Sequence, residues 1–285
     1  MTHDAYLRPS PADRLWRMEC APLGTGSKSG LEYKAMNHTY IPGYSEKTVS
    51  FMQTRSAETH AAFVLPLLQP DFRILEVGCG PGSITVGLAT RVPQGIVVAI
   101  DSEPSQVGLG KERAKELDIS NIRFVAGEAG GFHCEENNFD LVFSHALFEH
   151  LSDPVKTLHH LRGYLRPSGL IALRSPDWGG FVLHPETLAI SDALQTYERV
   201  QTNLGGDVHC GRKLAMYLRS AGFESVKLSA SYEIYPDARW IANYLAEHLE
   251  VARETPQAAT LRSWANQSNA MFAQAWFEAV GTKPY

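Results

Sequence analysis

The stretch Ile74-Leu-Glu-Val-Gly-Cys-Gly-Pro-Gly-Ser-Ile-Thr85 is an apolar run that enters a glycine-rich turn and opens into a helix. Gly78, Gly80 and Gly82 let the main chain turn tightly and approach a ligand where side chains would collide. A turn of this kind at the carboxyl end of a first strand is where open α/β sheets bind cofactors. The spacing G-x-G-x-G brings the third glycine one residue earlier than the dinucleotide fingerprint G-x-G-x-x-G. No Lys-Ser/Thr pair follows, so the loop is not a phosphate-gripping P-loop either.

Short apolar runs rich in Val, Ile, Leu and Phe repeat around this loop. They are Arg73 to Val77, Ile96 to Ile100, Ile122 to Val125, Phe139 to Phe143 and Leu170 to Leu173. Each reads as a strand covered on both faces. Helices alternate with them: Pro104 opens one, and Ser152-Asp153-Pro154 combines an N-cap with proline in the first turn. Upstream, an apolar stripe predicts one helix from about Glu46 to Leu68, and Pro22 to Gly30 reads as a connector. Alternating β and α elements imply an α/β fold with a doubly wound, mostly parallel sheet.

Beyond Leu173 the pattern predicts helices near Glu186 to Asn203 and Lys213 to Ala221, a strand near Ser225 to Tyr235, helices near Ala238 to Ala252 and Thr255 to Ala270, and a closing strand near Ala275 to Gly281. Trp178, Trp240, Trp264 and Trp276 all fall in this later half. Either the aromatics after Trp178 serve as core or, if the helices from Ala238 to Ala270 fold over the cleft, Trp240, Tyr244 and Trp264 supply an apolar wall for a flat or greasy acceptor.

Two acids complete the cofactor pattern. Asp101 ends the second strand, twenty-one residues past Gly80, where a carboxylate accepts hydrogen bonds from both ribose hydroxyls. Glu128 ends the third strand, placed to receive an exocyclic adenine amine. Together they outline an adenosine site.

Glu76-Val-Gly-Cys-Gly-Pro-Gly82, Asp101, Gly127-Glu-Ala129, Phe139-Asp-Leu-Val-Phe-Ser-His-Ala-Leu-Phe-Glu-His150 and Leu165-Arg-Pro-Ser-Gly-Leu-Ile-Ala172 resemble, in order and spacing, the motifs of class I S-adenosylmethionine-dependent methyltransferases. The UbiE-like (methyltransferase type 11), small-molecule branch is the nearest resemblance, extending to Gly43-Tyr-Ser45, Arg55, Arg174-Ser-Pro-Asp177 and Gly211-Arg-Lys-Leu214. It implies a Rossmann-like, seven-stranded sheet with a helical cap and S-adenosylmethionine as cofactor. It further implies that Glu76 fixes the glycine loop and meets the methionine amino group, with Tyr44 and Arg55 near the amino-acid end. Cys79, Ser102, Gln106, Ala129 and Ser144 join these residues, the glycines, Asp101 and Glu128 as cofactor-site candidates. Glu76 and Glu128 stand where the family often has Asp, and the carboxylate is kept.

The expected domain spans residues 46–285, with residues 1–45 as an N-terminal cap segment and substrate-cap helices at about 178–210 and 238–270. His145, just past the fourth strand, is the candidate general base, since imidazole titrates near neutrality. Substrate-wall candidates are His145, Asp177, Trp178, Phe181, Trp240 and Tyr244, together with His184, Asp207 and His209, which flank loops above the same sheet edge and have no assigned chemistry. His150 is expected to pack in its turn, and His159 and His160 to lie on a solvated surface.

The 285-residue chain is 44% hydrophobic and 20% charged, a globular balance, with a formal net charge of −5 and no run of four basic residues. That argues against an electrostatic grip on nucleic acid or anionic lipid. The longest uncharged stretch, Ser263 to Phe277, carries too many amides to span a membrane. Met1 to Arg17 has no apolar signal core, so a cytoplasmic location is expected. Cys20, Cys79, Cys134 and Cys210 form no C-x-x-C pair and read as reduced thiols; no metal site is expected. The expected reaction is transfer of a methyl group to a small O, N or C acceptor, apolar or aromatic, with a homodimer as the candidate assembly. The rivals are a nicotinamide-dinucleotide oxidoreductase and an S-adenosylmethionine-binding protein that does not methylate.

Overall fold

The computed structural model describes residues 45–134 and 137–285; Tyr44, Cys20 and the expected segment 1–45, apart from Ser45, lie outside the described residues. The elements run α1 (Glu46–Gln53), α2 (Ala57–His60), β1 (Arg73–Val77), α3 (Ser83–Arg91), β2 (Ile96–Asp101), α4 (Pro104–Glu116), β3 (Ile122–Ala126), β4 (Phe139–His145), α5 (Pro154–Tyr164), β5 (Leu165–His184), α6 (Leu188–Asn203), α7 (Cys210–Ser220), β6 (Glu224–Ile234), α8 (Ala238–Val251), α9 (Thr255–Ala265) and β7 (Met271–Thr282). Short 3-10 turns form at Leu65–Leu67 and Phe148–His150.

The strands form one seven-stranded sheet in the order β3-β2-β1-β4-β5-β7-β6. β1 through β5 pair in parallel, and β7 runs antiparallel between β5 and β6. The expected mostly parallel, doubly wound α/β sheet is what forms. The order reverses between β1 and β4, so both neighbours of that gap present their carboxyl ends to one crevice.

Leu75, Val77, Val142, Ile171 and Leu173 pack with Leu158, Leu161, Leu214 and Leu218 in one core, while Ile74, Val97, Leu141 and Phe143 pack with Ile84, Leu88 and Ala61 in another. A further core belongs to α6, α8 and α9, where Leu194, Tyr197, Ile241, Leu245, Leu249, Leu261 and Trp264 close around Trp178 and Phe272.

The expected helix Glu46 to Leu68 is instead broken. The Thr54 hydroxyl donates to the carbonyl of Phe51 at 2.7 Å where α1 ends, Ser56 is in an extended conformation before α2, and Pro66 falls in the first positions of a 3-10 turn. The break leaves Arg55 at a corner facing the sheet. The helix expected through Ala270 stops at Ala265, where Asn266 to Asn269 favour a turn. β5 is far longer than Leu170 to Leu173 because β7 supplies a partner along it, with a bulge between Asp177 and Val182 that contains Gly179 and Gly180.

Candidate active site

The glycine loop owes its shape to three left-handed residues, Gly78 (φ +75°), Gly80 (φ +52°) and Gly82 (φ +74°). At Gly82 a Cβ would stand 3.0 Å from both the Cα of Gly110 and the Phe124 ring, so close helix packing forbids a side chain there as well. The N–H groups of Gly78 and Cys79 both donate to the carbonyl of Ile100, at 2.8 and 3.0 Å, tying the loop to β2. Asp101 adds a third tie: its Oδ2 accepts from Gly80 N–H at 2.8 Å and its Oδ1 from Glu103 N–H at 3.0 Å. Ser83 Oγ donates to the carbonyl of Met52 at 2.9 Å, which fastens α1 beside the loop.

The loop lines a chamber of about 730 Å³, open mouth included, whose wall contains Arg55, Glu76, Gly78, Cys79, Gly80, Asp101, Ser102, Gly127, Ala129, His145 and Ala146. Glu76 is buried, and its Oε2 has no hydrogen-bond partner. Burial, with the charge of Asp101 adding to it, pushes the Glu76 carboxyl up to about 8. Burial likewise raises Asp101, against the two N–H groups that donate to it. An unpaired buried carboxylate oxygen is costly unless a cation meets it. The chamber wall therefore fits a ligand with a cationic amine at the Glu76 end and hydroxyls at the Asp101 end.

A second chamber, about 620 Å³ with its mouth, adjoins the first through the shared residues Arg55 and Ala146. Its wall is largely aromatic: Phe51 from α1, Trp178 from β5, Tyr197 from α6, Tyr244 from α8, with Tyr235 and Trp276. Glu149, His150, Gln201, Asp207 and Gln274 add polar atoms. Asp207 is held at the wall by Lys213 Nζ, 2.8 Å from both carboxylate oxygens, and by the Tyr217 hydroxyl.

Several candidates have other employment. Ser144 Oγ donates to the carbonyl of Val77 at 2.8 Å, joining β4 to β1 in the interior, off the chamber wall. Gln106 is buried in α4 and Glu128 is exposed past β3; the wall there is made by Gly127 and Ala129. Asp177 does not face the acceptor chamber: its oxygens accept from Arg212 Nε at 2.7 Å and Nη2 at 2.6 Å and from the N–H groups of Arg212 and Gly179. Burial opposes its charge, yet those donors hold its carboxyl below the usual range. Phe181 stacks on Phe272 within the helical core, and Trp240 is 46% exposed in an outer groove beside Lys47 and Glu247. Of the substrate-wall candidates, Trp178, Tyr244 and Asp207 line the aromatic chamber.

His145 lines the glycine-loop chamber rather than the aromatic one. Its ring stacks on Trp276 (centroids 4.8 Å apart) with His60 against it edge-on, and neither ring nitrogen has a hydrogen-bond partner. Burial, then Arg55, Arg174 and His60, push its imidazolium well below neutrality. His160 is not simply solvated: its Nε2 lies 3.0 Å from the carbonyl of Phe132. Cys79, Cys134 and Cys210 are buried, and among the described residues no group of His, Cys, Asp and Glu is placed to hold a metal. No helix of the described residues is long and apolar enough to cross a membrane.

Residues 68–222 match the family described as a methyltransferase domain. The chain belongs to that family. This methyltransferase is 31% identical over 247 residues to the protein named probable methyltransferase ltbC of Aspergillus luteorubrus, covering 80% of this chain and 84% of that one. It is 32% identical over 161 residues to trans-aconitate 2-methyltransferase of Deinococcus radiodurans, covering 56% and 57%. Its fold is similar to phosphoethanolamine N-methyltransferase 2 of Haemonchus contortus, solved with phosphomonomethylethanolamine and S-adenosylhomocysteine. The TM-score is 0.55 at 17% identity, over 80% of this chain and 53% of that one. Its methyl donor is S-adenosylmethionine, and family membership sets aside the nicotinamide-dinucleotide oxidoreductase reading.

Proposed function

We propose that the methyltransferase methylates a small, flat, aromatic or conjugated molecule seated in the aromatic chamber, with S-adenosylmethionine in the glycine-loop chamber. The observation that carries this reading is the adjacency of the two chambers across Arg55 and Ala146, one lined by loop backbone and carboxylates, the other by aromatic rings. Small-molecule methyltransferases among the relatives support the acceptor class.

When bound, S-adenosylmethionine supplies a methyl group activated by a positive sulfur. Glu76 would receive its amine, Asp101 its ribose hydroxyls, and the wall at Gly127 and Ala129 its adenine. Three left-handed glycines bring loop backbone to the ligand, and Met52, Arg55 and Ala146 close the side toward the acceptor. The aromatic rings orient the acceptor and exclude water, which strengthens electrostatic interactions inside the site.

Residues 46–285 act as the cofactor-binding domain, with α6, α8 and α9 as its substrate cap. Leu228, Tyr232 and Ile234 are exposed on edge strand β6, which supports a homodimer; light scattering reads the assembly directly. The net charge of −5 favours small acceptors over nucleic acid and accords with a cytoplasmic enzyme.

Incubation with S-adenosylmethionine carrying a deuterated methyl and a panel of flat aromatic acceptors, followed by mass spectrometry, tests this. A labelled product that Trp178→Ala and Tyr244→Ala abolish supports the chamber assignment. Product formation unchanged in both variants overturns it.

A further inference from the structure

We propose that Glu149 is the proton acceptor of the reaction, taking the hydroxyl proton of a phenolic or enolic substrate in the aromatic chamber. The proposal rests on the methyl-transfer reading above and names the group that serves it.

Glu149 sits in the 3-10 turn after β4, buried at the chamber wall. Its aim is set by a strained link: Ala146 adopts φ +53°, a conformation costly for a residue with a Cβ, and turns the chain so that Leu147 packs under Gly78 while Glu149 reaches the acceptor side. Ser175 Oγ on β5 donates to Glu149 Oε2 at 3.1 Å, and the main-chain carbonyl of Glu149 accepts from Asp207 N–H at 2.8 Å. Turn, strand and loop therefore all fix this carboxylate in place.

Among the described residues no Lys or Arg forms an ion pair with it. Its nearest basic group is His150 Nε2, 3.9 Å from Oε1, and burial, His248 and Arg55 push that imidazolium down to about 3, so it is neutral. A buried carboxylate without a counter-ion destabilises a fold. Its position on the acceptor wall supplies a chemical reason for keeping it.

The groups facing it from other elements are Arg55 from the α1 corner, Asp207 and Cys210 from the segment entering α7, and Tyr244 from α8. Burial outweighs Ser175 and Arg55 and raises the Glu149 carboxyl to about 7, where a base both exists as carboxylate and holds a proton usefully. His145 faces the other chamber and binds a proton far more weakly.

The step balances simply. The substrate oxygen lone pair forms the bond to the methyl carbon, the carbon–sulfur bond breaks with its electron pair going to sulfur, and the O–H proton passes to Glu149. The neutral acid returns the proton to water once product leaves.

The test compares wild type, Glu149→Gln and Glu149→Asp in three measurements. Calorimetry with S-adenosylhomocysteine comes first: equal affinity in all three shows an intact donor site, while no binding by wild type overturns the underlying methyltransferase reading. An infrared pH titration then follows the carboxylic-acid stretch; a band that titrates near 7 in wild type and vanishes in Glu149→Gln is expected, and its persistence overturns the proposal. Turnover on a panel of phenols completes the set. A loss of at least about 100-fold in kcat for Glu149→Gln is expected, with partial rescue in Glu149→Asp and disappearance of the rate limb near pH 7. Retention of a tenth or more of kcat, or failure of donor-competent wild type to methylate any phenol, overturns it.

Discussion

Asp101 and Gly80, twenty-one residues apart in sequence, are joined by a 2.8 Å hydrogen bond from the Gly80 N–H to the Asp101 carboxylate. One acid thus shapes the glycine loop from below while presenting its remaining lone pairs to the chamber. Removing it unties the loop and deletes the proposed ribose acceptor together. Asp101→Ala is expected to weaken S-adenosylhomocysteine binding by roughly 100-fold, in line with loss of charged hydrogen bonds. Calorimetry measures this, and Asp101→Asn, which keeps one acceptor oxygen, should lose less.

Gly82 is limited twice, by its positive φ and by the Cα of Gly110 and the ring of Phe124 at 3.0 Å from a built Cβ. Gly82→Ala is expected to destabilise the protein by about 2–3 kcal/mol through strain and overpacking. Chemical denaturation reads this directly. Gly108→Ala in α4, where nothing lies within 4 Å, serves as the comparison and should be neutral or slightly stabilising.

Glu76 carries a linkage between function and stability. Its folded value of about 8 lies above its ordinary 4.5. Its stabilising contribution is therefore complete below about pH 4.5 and disappears as pH rises through about 8, because the native state holds the proton more tightly. Glu76→Gln keeps the neutral form at every pH. The ligand-free variant should be more stable than wild type at pH 8, by on the order of 4 kcal/mol, with little difference near pH 4.5. Its affinity for S-adenosylhomocysteine should nevertheless fall about tenfold or more. Thermal unfolding and calorimetry across pH follow both effects.

The parallel half of the sheet was legible because its inner strands carry short runs of Val, Ile, Leu and Phe that are buried, and punctuation by Pro104 and Asp153-Pro154 marked the helices. The wall of the glycine-loop chamber was legible for a similar reason: Glu76, Gly78, Cys79, Gly80, Asp101, Ser102 and Ala129 are local to strand ends. Ser144 was misread because alternation along β4 sends its hydroxyl to Val77, whereas its neighbour His145 reaches the chamber. The aromatic chamber was hidden, since Phe51 from α1, Tyr197 and Gln201 from α6 and Tyr235 just after β6 converge from three separate segments with no local pattern. Glu149 carried one faint signal, its place just after His145 in the stretch that follows β4. The break at Thr54 escaped the apolar stripe, which continues past the point where the Thr54 hydroxyl donates to the carbonyl of Phe51.

Asp177 was expected to face substrate and is instead clamped by Arg212 and two main-chain N–H groups. Asp177→Asn is expected to cost about 2 kcal/mol of stability through those donors, lowering the melting temperature. The KM for an acceptor should change less than twofold. A large KM change without loss of stability would return Asp177 to the acceptor wall.

The most direct measurement is calorimetric titration of the purified protein with S-adenosylhomocysteine and, separately, with NAD. The expected result is one-to-one, micromolar binding of S-adenosylhomocysteine, abolished in Asp101→Ala, with no heat from NAD. Selective binding of NAD, or no binding of S-adenosylhomocysteine by folded wild type, would contradict the assignment of the glycine-loop chamber to the methyl donor.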